Sequence, residues 1–75
     1  MTTVIVSGGF DPIHEGHVAL LEGASRFGDR LVVLLNSDDW LMRKKGYVFM
    51  PFSARKIVLN AMENVHAVCR ADDSD

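Results

Sequence analysis

The stretch Gly8-Gly9-Phe10-Asp11-Pro12-Ile13-His14-Glu15-Gly16-His17 decides how this chain is read. It follows Thr3-Val4-Ile5-Val6, an apolar and β-branched run that predicts a short buried strand, and it precedes Val18 to Phe27, which predicts a helix packed on that strand. A glycine-rich turn from strand to helix exposes backbone N–H groups and the positive end of the helix dipole, and both favour a phosphate. His14 and His17 stand three positions apart with Gly16 between them. Two imidazoles so placed can bond the same phosphate oxygens, more strongly as charge builds up. The stretch predicts chemistry at phosphorus.

Outward from it, strands and helices alternate. Val18, Leu21, Ala24 and Phe27 recur at helical spacing, and Gly28 is placed to close the helix as a cap. Gly23 inside that helix costs about 1 kcal/mol relative to alanine, which a close helix–sheet contact would explain. Arg30 to Asn36 is apolar through Leu31-Val32-Val33-Leu34-Leu35 and suits a central strand of a parallel sheet. Ser37 to Phe52 predicts a long connection with one helical turn around Asp38 to Met42. Ser53 is a good N-cap for a second helix whose buried stripe is Ala54, Ile57, Val58, Ala61 and Met62. His66 to Arg70 predicts the third strand. The fold class is therefore α/β, half of a doubly wound parallel sheet in the order strand-helix-strand-helix-strand, with ligands expected beyond the carboxyl ends of the strands.

Composition bounds the function. The chain has 75 residues, 48% hydrophobic and 24% charged, with a net charge of −2. That balance fits one small domain over residues 1–75, which buries only roughly 60% of its unfolded surface. An acidic chain gives no reason to expect nucleic acid, whose binding needs a basic face. No apolar run approaches the roughly 20 residues of a membrane span, and no signal peptide precedes the first strand. The single cysteine, Cys69, cannot form an internal disulfide, so a reduced, cytoplasmic compartment is expected. The phosphate-loop motif is excluded, because no glycine is followed by Lys-Ser or Lys-Thr at the needed spacing, and Gly8-Gly9 lacks the dinucleotide fingerprint. Zinc at His14 and His17 could be completed only by His66 and Cys69 on a distant strand, so no metal site is expected.

The Gly9-to-His17 segment resembles the HxGH signature of the nucleotidylyltransferase superfamily, whose members transfer a nucleoside monophosphate from ATP or CTP to a phosphate-bearing acceptor and release pyrophosphate. Gly28-Asp29-Arg30-Leu31-Val32-Val33 resembles that family's second strand, Asn36-Ser37-Asp38 its following loop, and Pro51-Phe52-Ser53-Ala54-Arg55-Lys56 the start of its next helix. The resemblance spans about residues 3 to 70. It is nearest to the heptose-1-phosphate adenylyltransferases and glycerol-3-phosphate cytidylyltransferases. Dinucleotide-cofactor adenylyltransferases share only the first segment. The histidine pair of class I aminoacyl-tRNA synthetases is set aside on length and acidic balance. Members of the resembled family continue with a serine- and threonine-rich segment that nothing here matches, so the chain is expected to be an N-terminal half, truncated at its C-terminus.

The resemblance implies in-line attack on the α-phosphorus without a covalent intermediate, with a sugar or polyol phosphate as acceptor and Mg²⁺ carried with the nucleotide. His17 would hold the α-phosphate and His14 the phosphates beside it. Gly16 would let the nucleotide lie against the helix start, and Gly8, Gly9 and Phe10 would shape the pocket. Lys44 and Lys45, in the basic run Arg43-Lys44-Lys45, match lysines that hold phosphate, and Lys44 is counted with the catalytic pair. Arg55 matches a ligand-contacting arginine, and Asp38 would meet the acceptor or the nucleotide sugar. Asp11 would either bind acceptor or fix the turn. Trp40 could stack on a base or anchor packing. Val65-His66-Ala67-Val68 departs from the family pattern by placing a histidine where an aspartate is usual. A homodimer is expected. The rival from another class is a non-catalytic nucleotide-binding or assembly module.

Overall fold

A computed structural model describes residues 1–73 of the chain. Its order is β1 (Thr3–Gly8), α1 (Glu15–Ser25), β2 (Arg30–Leu35), α2 (Asp38–Lys45), α3 (Phe52–Asn60) and β3 (Ala67–Arg70). The three strands form one parallel sheet in the order β1-β2-β3. This is the α/β, Rossmann-like arrangement that the alternation of elements predicts.

Register explains which face is buried. Val4 pairs with Leu31, Val6 with Val33, and Val33 with Val68. Side chains alternate between faces along a strand, so these residues share one side of the sheet. Leu21 of α1 and Leu59 of α3 join Leu31, Val33, Leu35, Val68 and Phe10 in the core on that side. Two crossovers advancing in the same direction place both helices on the same face. Ile5 lies on the opposite face and is 61% exposed.

The helices depart from expectation in instructive ways. The first begins at Glu15 and ends at Ser25, and Phe27 lies beyond it at 79% exposure. Gly28 is not its cap. A Cβ there would come within 2.8 Å of the Thr2 carbonyl, so close approach of the β1 entry explains that glycine. At Gly23 a Cβ would meet nothing within 4 Å, so no helix–sheet contact accounts for it.

The connection after β2 holds a full eight-residue helix rather than a single turn. It has little apolar periodicity and is specified by its ends. Ser37 caps the N-terminus by accepting from the Trp40 N–H, Asp38 and Asp39 lie in the first turn, and Arg43, Lys44 and Lys45 in the last. Gly46 exits at φ 84°, a left-handed position that favours glycine. The next helix starts at Phe52 after Pro51, not at a Ser53 cap. Its buried side is Arg55 and Leu59, while Ile57 is 70% exposed, so the apolar stripe expected through Ile57 and Val58 faces outward. A buried arginine broke the pattern.

Candidate active site at the strand-to-helix turn

The turn after β1 is built on close packing. A Cβ on Gly9 would stand 2.8 Å from Leu41 Cδ2 and 3.2 Å from Trp40 Cζ3, so α2 can approach only because that residue is glycine. Phe10 takes φ 51°, an uncommon left-handed position for a bulky residue, and is only 5% exposed. Its ring lies beneath Gly8 and against His17, with ring centroids 4.9 Å apart.

The two histidines cap α1 reciprocally. His14 is the N-cap, and its Nδ1 accepts the Gly16 N–H at 3.0 Å. His17 reaches back, and its Nδ1 accepts the His14 N–H at 3.2 Å. The arrangement is a capping box written with two imidazoles instead of a hydroxyl and a carboxylate. The rings stack with centroids 4.0 Å apart and planes at 28°. Gly16 serves this pair first, since a Cβ there would fall 2.9 Å from His14 Cε1. Burial, together with the neighbouring His14, lowers the pKa of His17 below its ordinary value.

The acidic and basic candidates meet one another. Lys45 Nζ lies 3.0 Å from the Asp11 carboxylate, which also accepts the N–H groups of Phe49 and Met50. Burial works to raise the Asp11 pKa. The Phe49 N–H, the Lys45 ammonium and the Met50 N–H outweigh it and hold the carboxyl below its usual range. Lys44 stands over the Trp40 ring at 5.6 Å.

Arg55 is completely buried and its donors go to protein acceptors. Nε bonds the Met50 carbonyl at 2.8 Å, Nη1 bonds the carbonyls of Gly9 and Asn36, and Nη2 bonds the Asp38 carboxylate at 2.7 Å. Arg55, expected to contact ligand, forms a tie between the ends of β1 and β2 and the approach to α3. Asp38 supports the same tie by accepting the Phe52 N–H at 2.9 Å, which satisfies the first turn of α3.

An open cleft of about 630 Å³ lies at the carboxyl ends of the strands, lined in part by Ser7, Gly8, Asn36, Trp40, Arg70 and Asp73. Of the turn that carries the histidines it touches only Gly8. Asn36, Ser37 and Asp73 had no separate role in the sequence reading. The Asp73 carboxylate accepts from the Ser37 hydroxyl, Asn36 Nδ2 and the Ser37 N–H, and the Ser37 hydroxyl does most to lower its pKa. The signal available for Ser37 was its position before two aspartates and a basic run ending in glycine. The buried indole N–H of Trp40 meets no acceptor among the described residues. Among those residues no group of three His, Cys, Asp or Glu could hold a metal ion, and no helix is long and apolar enough to cross a membrane.

Comparison with known proteins covers nearly the whole chain. The family model described as cytidylyltransferase-like matches residues 5–75. The chain is 43% identical over 72 residues to the Bifunctional protein HldE of Citrobacter koseri, covering 93% of this chain and 15% of that protein. It is 37% identical over 68 residues to the Glycerol-3-phosphate cytidylyltransferase of Bacillus subtilis, covering 91% of this chain and 53% of that one. The solved lipopolysaccharide core biosynthesis protein of Thermoplasma volcanium superposes with a TM-score of 0.92 at 24% identity, over all of this chain and 62% of that one, a likeness of fold. The chain thus spans at most about half the length of these curated relatives.

Proposed function

Because the chain belongs to the cytidylyltransferase-like family, we propose that it serves a nucleotidylyltransferase, moving a nucleoside monophosphate from ATP or CTP to a sugar or polyol phosphate with release of pyrophosphate. The observation that carries this reading is the reciprocal histidine cap at the start of α1, which gathers two stacked imidazoles at the positive end of a helix. Such a point stabilises negative charge on phosphate oxygens by position alone. His17 holds the α-phosphate and His14 the adjoining phosphates. Lys44, in the basic last turn of α2, supplies the cation. Lys45, Asp11, Asp38 and Arg55 hold the loops that frame them. Magnesium enters on the triphosphate and draws its ligands from phosphate oxygens and water. The compartment in keeping with a lone exposed thiol, Cys69, is the cytoplasm.

The test is a titration of the full chain with Mg·ATP and Mg·CTP, followed through backbone amides. Trp40, the single tryptophan, packs against Gly9 and gives a second, fluorescence readout. Saturable shifts at Gly8, Gly9, Gly16 and His17, and pyrophosphate release with glycerol 3-phosphate or another sugar phosphate that His17→Ala abolishes, support the reading. Amides indifferent to both nucleotides overturn it.

The second reading, an assembly module, is favoured by the exposed Ile5 face and by β1, which lies at the sheet edge. A homodimer that forms equally well with and without nucleotide, and shows no turnover, would select it.

A further inference from the structure

We propose that Asp73 is a positioning residue, whose carboxylate locks the Asn36-Ser37 loop and through it sets the glycine turn that receives the nucleotide. The nucleotide belongs to the function proposed above, on which this rests, and the lock is carried by the fold. Three donors converge on the one carboxylate: Asn36 Nδ2 at 3.1 Å, the Ser37 N–H at 3.2 Å and the Ser37 hydroxyl. Asn36 and Ser37 are buried, at 7% and 4% exposure, so donors left without that acceptor would find little water in its place. Asp73 meets them at φ 60°, a left-handed position uncommon for a residue with a side chain. From α2, Arg43 Nη2 lies 3.4 Å from the Asp73 carbonyl and holds the same residue.

Asn36 is the junction. Its N–H donates to the Gly8 carbonyl at 3.0 Å, and its carbonyl accepts Arg55 Nη1, which also donates to the Gly9 carbonyl. Ser37 carries a second branch. Its hydroxyl donates to Asp73 and accepts the Trp40 N–H, and the Trp40 ring presses on Gly9, where a Cβ would lie 3.2 Å from it. Asp73 thus acts on Gly8 through Asn36, and on Gly9 through Arg55 and Trp40.

The reach matters because Gly8 and Asp73 line the same open cleft. Arg70, Ala71, Asp72 and Asp73 form one wall of it. The Ala71 N–H still pairs with the Leu35 carbonyl at 2.9 Å, and beyond it the Asp73 carboxylate ties the wall to the start of α2. Hydrogen bonds to an ionised acceptor are roughly twice as strong as neutral ones, so the charge itself holds the loop. An asparagine in that place offers one acceptor oxygen and turns an NH₂ toward a donor. The loop would then relax, and with it the two carbonyls that shape the turn.

The test compares the full chain with Asp73→Asn. Without ligand, the Gly8, Gly9 and Trp40 amides should move in the variant's ¹H–¹⁵N spectrum. Those of Asp29 and His66, at the opposite end of the sheet, should stay in place. Affinity for Mg·ATP or Mg·CTP, whichever the parent binds, should fall by about threefold or more, read well below the unfolding temperature. A carboxylate that only adds stability would lower Tm and leave the turn amides and the affinity of the folded chain unchanged, and that result overturns the proposal. So do turn amides that move while affinity holds. If the asparagine variant does not fold, Asp73→Ser, which keeps a hydroxyl acceptor, carries the same two measurements. Failure of both to fold makes Asp73 a requirement of folding and overturns its positioning role. A parent that binds neither nucleotide refutes the proposed function, while unmoved turn amides in the unliganded variant refute the lock.

Discussion

Asp11 grips Lys45 twice, with its carboxylate 3.0 Å and its carbonyl 2.6 Å from the ammonium, across 34 positions of sequence. The same carboxylate receives the N–H groups of Phe49 and Met50. One side chain thus clasps the connection between α2 and α3 over the turn that carries the histidines. Asp11→Ala should cost about 1–3 kcal/mol, since it strands backbone donors as well as a cation. Amide exchange at Phe49 and Met50 should quicken. Unchanged protection at both amides would show that the clasp holds nothing.

Arg55 and Asp38 make a second tie. Arg55 is fully buried while the Asp38 side chain is 44% exposed, so removing the arginine should cost about 1–3 kcal/mol for each buried carbonyl left without its donor. Arg55→Leu should lose stability on that scale, and Arg55→Lys should recover part of it, since an ammonium cannot reach all four acceptors. A ligand-contacting arginine would instead leave stability near that of the parent and weaken nucleotide binding alone. Chemical denaturation of both variants, without ligand, separates the two roles.

Two glycines should respond in opposite senses. Gly23→Ala should stabilise by about 0.5–1 kcal/mol, because its added methyl meets nothing within 4 Å. Gly9→Ala should destabilise by about 1–3 kcal/mol, because its methyl would drive into Leu41 and Trp40. Thermal melts of the two variants decide the matter. A gain at Gly9 would mean that α2 does not press on the turn.

Acid should destabilise the chain over two pH ranges, with the same sign in each. The folded state lowers the pKa of His17, so protons bind the unfolded chain more readily, and the stabilisation present above pH 6.5 is lost as pH falls toward the folded value. Asp11 behaves likewise from 3.8 downward. His17→Gln should flatten the loss in the first range and leave the second. Tm measured from neutral pH downward checks this, and an unchanged first range in the variant would assign it elsewhere.

The three strands, the first helix and the glycine-rich turn between β1 and α1 were legible in the sequence because their signals are local. Runs of Val, Ile and Leu mark strands, and paired glycines between a strand and a helix mark a turn where neighbouring side chains approach the backbone closely. The second helix was also written locally, in the Ser37 cap, the order of charges and Gly46, but apolar periodicity does not detect a helix specified by its ends.

The histidine pair was read from sequence as a phosphate site, and its role as a cap came only with the coordinates. The folded chain also decided what the charged residues do. Sequence placed Asp11, Asp38, Lys45 and Arg55 in the site, and the fold turned them toward one another and toward backbone carbonyls, as when Arg55 reaches Gly9 across 46 positions. The physical reason is that a strand or a capped helix is selected by neighbours within a few residues. A charged side chain takes its role from whichever partner desolvates with it, and the chain must fold before that partner is within reach.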